Sequence, residues 1–516
     1  MCESKPDWTP SSWRTKPFAQ AVAYPDDAKL EQVLAKIKSL PPLVTPSEIE
    51  RLREQVAAVQ RDEAFLLHAG DCAESFDACT HANLTSKLGL ILSVSLILIW
   101  GGRLPIVRVG RIAGQYAKPR SSPTELVDVD GVKKEVPSFR GDNVNGLDPA
   151  ERTPDPERLL AAYFHSAATL NYLRALLASG FASLDHPRTW SLAHVRSPEL
   201  RAEFSAITAA LSDALDFSRV IGLSPSSAST SPLDEVDFYT SHEGLMLGYE
   251  EALTRAFPQG AGSAKINSHQ QGGTEKQKQK EKQEQEQTDN AEGTPSHAYN
   301  TSAHFLWIGD RTRQLRGAHV EYFRGLRNPV GVKVGPSMGG AEIVELLDIL
   351  NPDKEPGRVT LITRYGAGKV AEHLPTHIRA VRASGHPVAW VCDPMHGNTQ
   401  TTPAGIKTRH FGTILAELTA SFRIHAECGQ RLQGVSLEFT GELNEEGFSV
   451  TECLGGSMGL REEQLSLRYQ TFCDPRLNFE QSLDLAFAVS DYLRKERRGG
   501  QAGEETDSVL FAELRA

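Results

Sequence analysis

Residues 359–398 read VTLITRYGAGKVAEHLPTHIRAVRASGHPVAWVCDPMHGN. Two short apolar runs, at 359–363 and 387–392, flank a helical stretch, and each run ends in a turn rich in glycine and charge. That order describes a strand–helix–strand unit with parallel strands. Similar runs stand at 64–69, 104–109, 236–240, 304–308, 330–334 and 434–439, which makes eight candidate strands with helical stretches between them. Eight such units predict an α/β fold, a closed (β/α)8 TIM barrel. A long helical region precedes the run at 236–240, so extra helices between strands are expected.

The barrel is assigned to 61–492, behind an N-terminal helical extension over 1–60 and ahead of a C-terminal tail over 493–516. In the extension, Thr45-Pro46-Ser47-Glu48 offers an N-cap, a proline at the first helical position and a capping-box glutamate. Ile49, Leu52, Val56 and Val59 follow at helical spacing and predict one buried face. Residues 262–294 are polar throughout, rich in Gln, Lys and Glu, and read as a disordered insertion. They follow a helical segment over 245–255, which puts them in a helix-to-strand loop at the bottom of the barrel.

The chain has 516 residues, 66 of them acidic and 55 basic, for a formal net charge of −11. With 40% hydrophobic and 23% charged residues it belongs with folded globular proteins. The acidic balance argues against a nucleic-acid binder. The longest apolar run, 88–100, is too short to span a bilayer, and the N-terminus has no signal-peptide core. Seven cysteines without a CxxC pair suit a reducing compartment, so no membrane partner and a cytoplasmic location are expected.

The strand ends carry the chemistry. In order they run into GDCAES, GRIAGQYAKPRSS, SHEG, GDRTR, GPS, RYGAG, DPMHG and TGE, on the side where a barrel builds its active site. Arg103, Arg108, Arg111, Lys118 and Arg120 form one cationic group; Arg311, Arg313, Arg316, Arg324, Arg327 and Lys333 form a second; Arg364 ends the sixth strand. Any one of them could simply pair with a surface carboxylate. Gathered in an acidic chain, they point to a phosphorylated substrate. Cys72, His396, Glu438 and Asp474 could ligate a divalent metal, but they are far apart and no local spacing supports a site. Gly366, Gly368 and Ala371 fit a dinucleotide-binding turn, with Asp393 as its acid; the isolated match and the preceding Arg364 weigh against it.

The segments DWTPSSWR, LLHAGDCAESF, VGRIAGQYAKPRSSPTE, SHEGLMLGYEEALTR, FLWIGDRTRQLRGAHVEYFRG, NPVGVKVGPS, DPMHGNT, VSLEFTGE and YQTFCDPRLN together resemble the class II (plant-type) 3-deoxy-D-arabino-heptulosonate 7-phosphate (DAHP) synthases over nearly the whole chain. The match begins within the first ten residues, so no plastid transit peptide is expected. The resemblance implies a transferase that condenses phosphoenolpyruvate with erythrose 4-phosphate at the start of the shikimate pathway. It implies one divalent metal ion, Mn2+ before Co2+, Zn2+, Fe2+ or Mg2+, held by Cys72, His396, Glu438 and Asp474. It puts phosphoenolpyruvate on Arg111, Asp310, Arg311, Lys333 and Arg364, and erythrose 4-phosphate on Lys118, Arg120 and Ser121. Lys118 is the candidate proton donor, and Arg111 and His396 join it in the catalytic set. A homo-oligomer and an aromatic feedback effector complete the expectations.

The chain departs from the pattern at Asp310, where the family carries glutamate, at RYGAG in place of an RMGN-type turn, at Arg316 in place of an acid, and in the longer TGELNEEGFSVTEC. A paralogue making a modified heptulosonate, or a non-catalytic regulatory paralogue, are the alternatives. A Cys72–Cys473 disulfide would remove a metal ligand; two reduced thiols, with Cys72 ligating, are the expected state.

Overall fold

All eight apolar runs become strands of one closed parallel barrel. The computed structural model describes residues 8–129, 132–179, 181, 198–220, 236–258 and 296–499. The proposed insertion at 262–294 lies outside them, as does most of the tail. In chain order the elements are α1 (Asp27–Ser39), α2 (Pro46–Gln60), β1 (Phe65–Gly70), α3 (His81–Gly102), β2 (Ile106–Arg111), β3 (Thr124–Val129), β4 (Val132–Pro137), α4 (Glu157–Ala178), α5 (Pro198–Val220), β5 (Tyr239–Glu243), α6 (Leu247–Ala252), β6 (Thr254–Pro258) and β7 (Ser296–Asn300). There follow β8 (Phe305–Ile308), α7 (Ala318–Arg324), β9 (Val330–Val334), α8 (Gly340–Leu350), β10 (Val359–Thr363), α9 (Val370–Ser384), β11 (Val388–Cys392), β12 (Gln400–Thr401), β13 (Lys407–Thr408), α10 (Phe411–Glu427), β14 (Gly434–Glu438) and α11 (Phe479–Arg497). The barrel order is β1-β14-β11-β10-β9-β8-β5-β2, so the strands follow one another around the ring in chain order.

The extension's second helix closes the foot of this barrel. Thr45 and Glu48 form the expected capping box at the start of α2. Leu52, Val56 and Val59 are fully buried and pack with Leu66, Val107, Phe305, Trp307, Ile362 and Val391 inside the ring. Burying each such side chain contributes about 1.5–3 kcal/mol, which fixes α2 as a plug.

The apolar run at 88–100 is part of a longer element. α3 spans 22 residues, long and apolar enough by composition to cross a membrane, but 78% of its most apolar window is buried. It packs along α11. A Cβ on Gly101 would come within 2.3 Å of the Ser490 backbone oxygen, so glycine is what permits this approach. Ser93 and Ser95 return their hydroxyls to the helix's own carbonyls, Gly89 O at 2.8 Å and Leu92 O at 2.9 Å.

Three antiparallel hairpins have no counterpart in the sequence reading. β3 pairs with β4 directly after the KPRSS segment, and β12 pairs with β13 after DPMHG. β6 pairs with β7 across five residue pairs, from Thr254↔Asn300 to Pro258↔Ser296. The helical segment read at 245–255 therefore ends at Ala252, and Arg255 lies in a strand. The chain between 259 and 295 joins the two strands of this ladder. It does not lead from a helix straight into the barrel.

Candidate active site

The C-terminal ends of the strands enclose a cavity lined by Cys72, Arg111, Gln115, Lys118, Glu243, Trp307, Asp310, Arg311, Lys333, Arg364, His396 and Asp474, among others. Five of the cations singled out in the sequence converge here: Arg111, Lys118, Arg311, Lys333 and Arg364. Others take the ordinary pairing. Arg324 bonds Glu321, and Arg327 bonds Glu50 and Glu355. Arg313 spans Asp310, Glu342 and Ser337. Arg103 caps α3 in the left-handed conformation at φ 56° and stacks on Trp100, and Arg108 turns outward to Ser95 Oγ at 2.8 Å. Arg316 is exposed.

Arg111 ends β2 and is almost fully buried. It donates to Asp71 O at 2.7 Å and to Glu438 Oε1 at 2.9 Å, and its guanidinium lies 4.9 Å from the centre of the Trp307 ring. Glu438 ends β14. Its other oxygen accepts from Arg409 at 2.8 Å, and His396 Nε2 is 3.1 Å from its first. Burial alone would raise the Glu438 carboxyl, but His396, Arg409 and Arg111 hold it well below the usual carboxylate range. Lys333 is buried beside Asp393 at 2.5 Å; burial lowers its pKa against that carboxylate's attraction. Arg364 joins Asp310 at 2.8 Å, while Arg311 donates to Ser121 Oγ at 2.8 Å. Arg120 turns its guanidinium to Glu125 at the start of β3, away from the cavity lining.

The four expected metal ligands meet as two pairs. His396 faces Glu438, and Cys72 Sγ lies 3.9 Å from Asp474 Oδ2. Lys118 Nζ stands 3.2 Å from Asp474 and 3.9 Å from Cys72. The sulfurs of Cys72 and Cys473 and a carboxylate oxygen of Asp474 lie within 4.8 Å of one another. Cys72 and Cys473 are joined as a disulfide, which corrects the expectation of two reduced thiols. The physical reason is convergence: the loop after β1 and the segment before α11 descend on the same edge of the cavity.

Several functional candidates went unrecognised in the sequence. Glu243, from the SHEG turn, lines the cavity, and its Oε1 has no hydrogen-bond partner among the described residues. Burial raises its carboxyl above the ordinary range, against the pull of Lys333 and Arg111. A Cβ on Gly309 would come within 2.0 Å of that oxygen, so the glycine of GDRTR makes room for it. Asp393, considered only as a ribose acid, is buried between Lys333 and His396. The closed ring of eight strands is not the open sheet a dinucleotide turn requires.

Glu417 on α10 ties together two of the loops above the barrel. It accepts from the backbone N–H groups of Tyr365 and Gly366, each at 2.9 Å, and from Asn398 Nδ2 at 2.6 Å. Burial pushes its carboxyl up to about 7. An unfolded glutamate titrates near 4.3, so folding takes up a proton here between roughly pH 4.5 and 7. Its stability contribution therefore falls as pH rises through that window. Glu417→Gln removes the titration. The stability of the wild type relative to that variant, from denaturant midpoints, is expected to decline by roughly 3 kcal/mol across this window. Parallel profiles would contradict the assignment.

A sequence profile described as the Class-II DAHP synthetase family matches residues 8–490. A phospho-2-dehydro-3-deoxyheptonate aldolase of Neurospora crassa is 49% identical over 507 residues, covering 98% of each chain. One of Streptomyces coelicolor is 41% identical over 488 residues, covering 94% of this chain and 97% of its own. A barrel whose strand ends gather these cations, carboxylates and sulfurs, matched along nearly its full length, belongs to the class-II DAHP synthetase family.

Proposed function

We propose that the chain condenses phosphoenolpyruvate with D-erythrose 4-phosphate and water, giving DAHP and inorganic phosphate. The reading makes it a cytoplasmic transferase at the entry of the shikimate pathway, supplying aromatic amino acid biosynthesis. The observation that carries it is the convergence of Arg111, Lys118, Arg311, Lys333 and Arg364 on one cavity in a chain of net charge −11. Two phosphorylated substrates need fixed cations, and preorganised guanidinium and ammonium groups hold them without reorganisation.

Arg111, Arg311, Lys333 and Arg364 are assigned to the carboxylate and phosphate of phosphoenolpyruvate. Lys118 and Ser121 are assigned to erythrose 4-phosphate, with Arg120 joining them on release from Glu125. C3 of the enol attacks the aldehyde carbon, and Lys118 gives a proton to the aldehyde oxygen. Burial lowers the Lys118 pKa, against Asp474 and Glu438, which makes the ammonium a better acid. Water adds at C2 with its proton passing to Glu243, and the hemiketal phosphate collapses with loss of phosphate.

The donor set fits a divalent ion: a thiolate, an imidazole and two carboxylates suit several first-row metals. Asp393 accepts from His396 Nδ1 at 2.7 Å and so aims Nε2 towards Glu438, the arrangement that prepares a histidine ligand. Cys72, His396, Glu438 and Asp474 would hold the ion once the disulfide is reduced, with Mn2+ the first candidate. When bound, it supplies Lewis-acid stabilisation of the oxygen that gains negative charge as the carbon–carbon bond forms.

Phosphate release tests the reading. Reduced, metal-replete enzyme is expected to release phosphate only when both substrates are present, and to stop when a chelator strips the metal. No turnover by metal-replete, reduced enzyme would reject the function.

A further inference from the structure

One chain of alternating charge crosses the cavity floor. Asp393 Oδ2 accepts from Lys333 Nζ at 2.5 Å and from His396 Nδ1 at 2.7 Å. On the far side of the imidazole, Glu438 Oε1 faces His396 Nε2 at 3.1 Å and accepts from Arg111 at 2.9 Å. The order is Lys333, Asp393, His396, Glu438, Arg111: a metal-binding imidazole with a carboxylate on either side, and a substrate-binding cation beyond each. Asp393 is 1% exposed, and its remaining oxygen is taken by the backbone N–H groups of Met395 at 3.0 Å and His396 at 3.2 Å. Each oxygen thus accepts from two N–H donors, which leaves no spare lone pair.

We infer that Asp393 is a positioning residue that makes phosphoenolpyruvate and the divalent metal bind cooperatively, an inference that rests on the function proposed above. The cause is competition for a single oxygen. Without substrate, Lys333 draws on Asp393 Oδ2 and weakens what that oxygen offers His396. An anionic substrate at Lys333 attracts the ammonium, and the Asp393 carboxylate then acts more fully on the imidazole, raising its strength as a ligand. Linkage requires the reciprocal effect, in which the metal tightens phosphoenolpyruvate binding by the same factor. Asparagine in place of Asp393 keeps one acceptor oxygen where four donors arrive on two. Its NH2 must therefore face either the Lys333 and His396 side chains or the backbone N–H groups of Met395 and His396, and it brings no charge to act on the imidazole.

The test reads binding without turnover. Mn2+ affinity is measured by competition with a fluorescent chelator in reduced enzyme, with and without phosphoenolpyruvate and against a protein-free blank. Wild type is expected to bind Mn2+ at least about 5-fold more tightly with phosphoenolpyruvate present. Asp393→Asn is expected to bind Mn2+ about 10–100-fold more weakly and to keep less than about 2-fold of the coupling. A purely structural role would lower the affinity and leave the coupling factor intact, and that result overturns the inference, as does a wild type without coupling. Should Asp393→Asn give no cooperative melt, Lys333→Met decides. Freed of its competitor, Asp393 should make that variant bind Mn2+ more tightly than substrate-free wild type, and equal or weaker binding overturns the inference. Calorimetry with phosphoenolpyruvate separates the two levels: absence of binding and of phosphate release condemns the proposed function, whereas binding and turnover without coupling condemn only this inference.

Discussion

Glu438→Ala is expected to abolish turnover and to lower stability by about 3–5 kcal/mol, the usual consequence of removing one partner from a buried ion pair. The carboxylate is 1% exposed and faces His396, Arg111 and Arg409. Its removal leaves two guanidinium groups inside the barrel, one of them fully buried, each without its carboxylate partner. The loss of activity should exceed the roughly 10–100-fold cost of removing a group that merely supports a metal ligand. Glu438→Gln keeps the shape and one acceptor, so it should recover part of the stability and little of the turnover. Denaturant midpoints and phosphate release measure the two effects separately, and a wild-type midpoint for the alanine variant would show that these cations have other partners.

Lys118→Ala carries the second large effect, a fall in kcat of about 100- to 10,000-fold, the range supplied by a positioned acid. The ammonium stands 3.2 Å from Asp474 and 2.5 Å from Cys473 Sγ, with only 12% of its side chain exposed. Phosphoenolpyruvate binding, which the proposed function assigns to Arg111, Arg311, Lys333 and Arg364, should be retained. Because burial lowers the Lys118 pKa, the wild-type rate should fall on the alkaline side earlier than for an ordinary lysine. A variant that binds both substrates and turns over normally would remove Lys118 from the chemistry.

The barrel could be read from sequence because its strands are buried on both faces, so each appears as an unbroken apolar run bounded by glycine and charge. The cations could be read only as a crowd. Arg108 and Arg111 are neighbours in sequence, yet strand alternation sends them to opposite faces: Val107, Val109 and Arg111 point into the ring, and Arg108 meets α3. Period-two alternation along β2 is the signal in the sequence that separates them. Cys72 and Asp474 are 402 positions apart, so no spacing rule could have paired them. Glu243 and Asp393 escaped notice for a different reason. A carboxylate's role here depends on what it lacks or shares, an empty lone pair in one case and a doubly used oxygen in the other, and neither is a property of a motif.

The five-pair ladder between β6 and β7 has a bearing on how such a chain can change over time. Its first pair, Thr254↔Asn300, meets the segment that leads into β8, and Thr301 O accepts from the backbone of Leu43 and Val44 ahead of the plugging helix. The ladder is thus rooted at the end of the barrel opposite the cavity, and residues 259–295 join its other end, Pro258↔Ser296. Closing a longer loop costs only about 0.6 kcal/mol for each doubling of its length. The ladder therefore works as a splice point, where sequence can be gained, lost or exchanged at little cost to folding and none to the reacting groups. Latitude at one end of the molecule is what allows strictness at the other.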